Sequence, residues 1–178
     1  MTLAKISKIS LWMIIPLGLV GSLLHFSYEW SGKNPIVAIF SAVNESYWEH
    51  IKIAFWPVLV LQLVLFISGG FRIRSYFSAM AVSLYLIPIT MISVVFIYKN
   101  FTGENLLALD IIAFFLTISI AQYVFVQILK NFKPSTLGIV LSLIFVVLII
   151  TAFALFSHFP PAEPDIFIDP MTGRYGIN

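Results

Sequence analysis

The sequence predicts an all-α polytopic membrane protein: a bundle of five transmembrane helices with the N-terminus inside and the C-terminus outside. Three observations carry that prediction. First, 60% of the 178 residues are hydrophobic, only 10% are charged, and the mean hydropathy is +1.01, whereas an ordinary soluble domain carries roughly 25% charged residues. A soluble chain of this length cannot hide so much apolar surface, so lipid is the expected solvent. Second, five apolar runs, at 9–28, 51–67, 77–98, 106–129 and 137–156, approach or exceed the roughly 20 residues that a helix needs to cross the hydrocarbon core. Third, the charges separate by loop. Alternating the connections puts Lys5, Lys8, Arg72, Arg74, Lys130 and Lys133 on one side, and Lys33, Lys52, Lys99 and Arg174 on the other. The richer side is assigned to the cytoplasm.

Taken in order, the first run follows Lys5 and Lys8, as a signal peptide would, but it lacks a small-x-small cleavage site and is read as a retained helix. The stretch "SGKNPIVAIFSAV" that follows has a Gly/Asn/Pro turn and then a mostly apolar piece too short to span. Segment 31–44 is therefore expected to lie interfacially or re-enter on the outer side. The connections "SGGFRIRS" and "KNFKPS" are short, so the helices they join are expected to be antiparallel neighbours. Pro88 should kink the third run. The domain division is then 1–158 for the transmembrane bundle and 159–178 for an extracytoplasmic tail. That tail is too rich in proline and glycine to be helical throughout, and Asp169-Pro170 with Gly173 marks a turn.

All the acids, Glu29, Glu45, Glu49, Glu104, Asp110, Glu163, Asp165 and Asp169, fall on the outer side, together with His25, His50 and His158. Ionisable groups at or within membrane helices are functional candidates. His25 and Glu29 stand four residues apart on one helical face. In "NESYWEHIK", 100° per residue places Glu45, Glu49, Lys52 and Trp56 on one side, with Ser46 and His50 more than a quarter-turn away. Ser46-x-x-Glu49 also reads as a capping box, and Glu49 with Lys52 as an i,i+3 ion pair. Asp110 begins the fourth run and His158 ends the fifth. Trp30, Tyr47, Trp48, Trp56 and Tyr98 read as an interfacial aromatic belt.

If these groups converge, His25, His50 and His158 can hold zinc, with Asp110 or Glu29 orienting a ligand and Glu45 acting as base toward a metal-bound water. The expected substrate is a membrane lipid or another amphiphile, which makes a metal-dependent intramembrane hydrolase one reading. Cation or proton binding or transport, a membrane-partner module, and a metal-free proton-transfer isomerase are the others. The cysteine count of zero excludes disulfides and thiolate metal sites. No phosphate loop, nucleophile elbow or basic nucleic-acid patch is present. Oligomeric state is not readable.

The motifs "LLHFSYEWSGKN", "VNESYWEHIK" and "DPMTGRYGIN" resemble those of an uncharacterised family of small bacterial multi-pass membrane proteins, which implies the same fold and a bacterial cytoplasmic membrane location. Ser46-x3-His50 is similar to the Ser-x3-His element of the alkaline ceramidase and adiponectin-receptor superfamily, which implies an intramembrane zinc held by three histidines. That superfamily has seven helices and a His-x3-His pair that is missing here, so His25 would stand in. His25-x3-Glu29 also resembles the His-x3-Glu pair of sterol isomerases with the emopamil-binding fold, which implies proton transfer without metal.

Overall fold

A computed structural model describes residues 1–104, 106–161 and 165–177. Glu163, counted above among the outer acids, and the terminal Asn178 lie outside the described residues. The chain is all-α: α1 (Leu3–Trp12), α2 (Ile14–Trp30), α3 (Tyr47–Ile67), α4 (Tyr76–Thr102), α5 (Leu107–Asn131) and α6 (Thr136–His158). Helices α3 to α6 are each long and apolar enough to cross a membrane. A fifth span results if α1 and α2, bent by 49° where they meet, count as one.

The bend corrects the reading of 9–28 as one continuous helix, and Pro16 explains it. Proline has no N–H to give to the carbonyl of Trp12, and its ring crowds that carbonyl. The break falls at Met13, between the two. The face that α1 presents to α5 buries Ile6, Ser7 and Ser10. Its amino terminus reaches the far end of α3, where the Met1 ammonium donates to the Ser68 carbonyl. Pro57 and Pro88, in contrast, sit inside α3 and α4 without ending either helix.

Helix α3 is the centre of the bundle: Ile51, Lys52, Ala54, Phe55, Val58 and Gln62 are all fully buried. It packs against α2, α4 and α5, while α4 packs along both α5 and α6. Helix α6 is the most open of the spans, exposing Leu137, Val140, Ile144, Val147, Leu148 and Leu155. An unbroken apolar face of this kind is stable only against lipid.

The elements alternate in direction and so give the bundle two poles. Lys5, Lys8, Arg72, Arg74, Lys130 and Lys133 mark one. There Arg74 ties the α3–α4 and α5–α6 connections, donating from Nε to the Pro134 carbonyl at 3.1 Å and from a guanidinium nitrogen to Thr136 Oγ1 at 3.2 Å. The described acids gather at the other pole, where α2, α4 and α6 end and α3 and α5 begin.

Two non-helical pieces close that acidic pole. Segment 31–44 carries one 3-10 turn, Val37–Ile39, and is tied to the helices by three side chains. Lys52 Nζ donates to the Ala38 carbonyl at 2.7 Å, Trp56 Nε1 donates to the Ile39 carbonyl at 2.8 Å, and the Tyr28 N–H donates to Ser41 Oγ at 2.8 Å. In the tail, Ile168 and Tyr175 form an antiparallel bridge around the turn read from Asp169-Pro170. Asp169 orders it by accepting from the Met171 N–H and the Thr172 hydroxyl, both at 2.8 Å, and Gly173 adopts φ 69°, where only glycine is unstrained. Phe167 anchors the tail between Trp48 and Phe156, at centroid distances of 4.9 and 5.7 Å. The belt reading is corrected accordingly. Trp30 is exposed, but Trp48, Trp56 and Tyr98 are buried, because they have loop, tail and helix partners to pack on.

Candidate metal centre

"NESYWEHIK" serves two sites, and the start of α3 explains how. The helix begins at Tyr47, so Glu45 precedes it and does not follow its 100° rotation. The sequence placed Glu45 with Glu49 and Lys52; the structure turns it to the opposite group, beside His50. Its carboxylate oxygen Oε2 lies 3.5 Å from His25 Nε2 and 3.6 Å from His50 Nε2. The two imidazole centroids are 5.2 Å apart. One ligand atom from each of the three residues falls within 4.8 Å of the other two.

These separations are close to what a metal requires. With bonds of about 2.0–2.2 Å, neighbouring ligand atoms on a tetrahedron stand about 3.4 Å apart. The tautomer of His50 is also fixed. Its Nδ1 lies 2.9 Å from the Ser46 carbonyl, which can only accept, so Nδ1 carries a proton and, in the neutral ring, the Nε2 lone pair faces Glu45 and His25. A backbone carbonyl on the far nitrogen is the usual outer partner of a metal-binding imidazole. The His25 hydrogen bond holds the Glu45 carboxyl below its usual range, against the opposing effect of its partial burial.

The group faces a cavity of about 650 Å³ formed by α2, α3, α4, α5 and the tail. Apart from His25, Glu45, His50 and Asp110, its walls are mostly apolar, with Ile53, Met91, Val95, Phe114 and Phe115 among them. Close packing lower down creates the opening. A Cβ on Gly21 would come 2.6 Å from Phe114 Cζ and 2.7 Å from the Ile53 carbonyl, and one on Gly18 would come 2.1 Å from the Phe115 ring. Glycine thus lets α2 sit against α3 and α5 there, as small residues do in membrane helix packing. Above these contacts Ser22, His25 and Phe26 line the cavity opposite Leu107, Asp110 and Ile111. Pro170 and Met171 of the tail add to its wall.

The other residues singled out from sequence fall as follows. Asp110 lines the same cavity and accepts a hydrogen bond from the Tyr98 hydroxyl. Glu29 does not join His25; it is exposed and pairs with Lys33 at 3.7 Å. The exposed His158, at the end of α6, is set apart from the His25, Glu45 and His50 group, its ring 6.4 Å from that of Phe159. Glu49 and Lys52 form the expected ion pair, at 2.5 Å, on the loop-facing side of α3. The capping box is not made: Ser46 Oγ caps nothing, and Glu49 accepts from the Val43 N–H at 2.9 Å rather than from the Ser46 N–H. Asn44 takes the remaining task, accepting from the Ser46 N–H at 2.9 Å and donating to the Gly176 carbonyl at 3.2 Å. Tail residues Pro170 and Met171 were not picked out as cavity-lining, and no pattern in the sequence relates them to α2 or α5.

No curated protein and no solved structure matches the chain, so the ceramidase likeness gains no support. The sequence profile of DUF6512, a family of unknown function, matches residues 1–177, and the chain belongs to that family.

Proposed function

We propose that this protein is a membrane enzyme that binds a divalent transition metal, zinc foremost, through His25, His50 and Glu45, and hydrolyses a lipid or another amphiphile at the extracytoplasmic face of the bacterial cytoplasmic membrane. The observation that carries the reading is the convergence of one nitrogen from each of two imidazoles and one carboxylate oxygen, within 4.8 Å of each other, on a largely apolar cavity. Two histidines and a glutamate would hold zinc by three protein ligands, the number found in catalytic sites, and a metal so held would supply a water of lowered pKa. Asp110 faces the cavity from α5 and takes the role of proton acceptor. Glu45, first read as a base, becomes a ligand; Glu29 and His158 have no part in the reaction. The apolar walls favour an amphiphile over a water-soluble substrate.

Cobalt(II) substitution tests the reading. The protein is expected to take up about one cobalt and show the intense visible absorption of a four-coordinate site, and to hydrolyse a long-chain nitrophenyl ester in its zinc form but not after His50→Ala. An absence of both the spectrum and the metal-dependent hydrolysis would refute it.

A second reading rests on the fact that both imidazoles address one oxygen of Glu45. That arrangement also shares a proton without metal, which suits an isomerase or a proton-binding module. Activity or proton uptake that survives exhaustive chelation favours this second reading.

A further inference from the structure

The cavity at the metal centre continues past its own wall. Tyr47, Val95 and Pro170 line it on one side and, on the other, line a second cavity of about 570 Å³ between the last turns of α4 and the tail. Each volume lies within the 300–1,000 Å³ typical of small-molecule sites. The outer wall of the second cavity is Phe96, which is 67% exposed on the lipid-facing side of α4. Lys99 stands one turn above Phe96 in the same cavity, its ammonium 5.2 Å from the centroid of the Tyr47 ring. Among the described residues no carboxylate lies within 4.0 Å of that ammonium. Asp165 lines the same cavity from the tail without pairing to it.

The geometry points to Lys99 as the seat of an anionic headgroup: the ligand is an amphiphile with one phosphate or carboxylate at Lys99 and its hydrocarbon chain across the Tyr47–Val95–Pro170 wall in the apolar cavity of the metal centre. The inference rests on the amphiphile reading above and supplies the charge class of the ligand. A lysine at the end of a membrane span reaches the headgroup level while its methylene stem lies along apolar surface. Here Phe96 lines the same cavity as Lys99, and the Tyr47 ring holds the ammonium in place without neutralising it. In metal-free protein Glu45 and Asp110 both face the other cavity, which leaves Lys99 the better seat for an anion.

A fluorescent dodecanoate and its methyl ester, identical except for the charge, test the assignment on the full chain in uncharged detergent. Both zinc-loaded and chelator-treated protein are used. The carboxylate is expected to bind about tenfold more tightly than the ester in both preparations. Lys99→Gln should bring the two affinities within about twofold while zinc content and ester affinity stay unchanged, and Lys99→Arg should retain the preference. Equal binding of the two probes to the native chain would overturn the proposal, as would a preference that survives Lys99→Gln. A preference present only with zinc would place the anion on the metal instead. Displacement of the carboxylate probe by millimolar inorganic phosphate would make this a free-anion site. Failure of the metal reading is scored separately, by zinc content, and leaves the preference of the chelated protein intact.

Discussion

Glu49 and Lys52 form an ion pair at 2.5 Å with both side chains almost wholly buried, 3% and 0% exposed. Each also holds part of the preceding segment: Glu49 accepts from the Val43 N–H, and Lys52 donates to the Ala38 carbonyl. Breaking such a pair from one side leaves a buried charge with no counterion. Lys52→Met is therefore expected to destabilise the protein by about 3–5 kcal/mol, whereas Glu49→Leu with Lys52→Met recovers most of the loss. Thermal unfolding in detergent checks both. A double variant no more stable than the single one would contradict the pairing.

Gly21 controls the distance between α2 and the helices that carry the rest of the site. Gly21→Val would place atoms about where Phe114 Cζ and the Ile53 carbonyl now sit, 2.6 and 2.7 Å from the ideal Cβ. The overpacking is expected to cost about 1–3 kcal/mol. It should also shift His25, four residues on, so metal affinity falls together with stability. Metal titration of the variant checks this; an unchanged affinity would mean that α2 does not set the His25 position.

The acid limb of stability follows from Glu45. The His25 hydrogen bond lowers its folded-state pKa relative to the unfolded chain. Its stabilising contribution is thus present above the usual carboxylate value and fades as pH falls through the lowered folded value. Glu45→Gln should flatten that limb by lowering the stability of metal-free protein near neutrality, where the native contribution is full, while changing little in strong acid. Unfolding midpoints measured across the acid range give the comparison.

Phe167 is the anchor of the tail, 4% exposed between Trp48 and Phe156. Removing its ring is expected to weaken tail docking by about 3–5 kcal/mol. Limited proteolysis of Phe167→Ala should cut within 165–177 well before the bundle is touched. Equal protection of variant and native tails would show that other contacts suffice.

The fold was largely legible because lipid imposes long apolar helices, and length and hydropathy reveal them directly. The break at Met13 was missed, because run length and hydropathy hide it even though Pro16 stood within the first run. The site was harder to read. His25 and His50 are its histidines, yet spacing grouped His25 with Glu29 by a four-residue rule that both residues satisfy only on their own helix. In the fold Glu29 turns to Lys33, and Glu45 arrives from the loop before α3. Helical periodicity says nothing about a residue outside the helix, so Glu45 was placed on the wrong face. His158 could be enlisted only by its type and its pole. The contact of the tail with the cavity depends on how Phe167 seats against Trp48, a tertiary match that no local pattern encodes.

The most direct measurement is the metal content of purified protein and four single variants. Near-stoichiometric zinc is expected in the native chain and in His158→Ala, with loss of at least about tenfold in affinity for His25→Ala, His50→Ala and Glu45→Gln. Zinc that is absent from the folded native chain, or that depends on His158 but not on Glu45, would contradict the account.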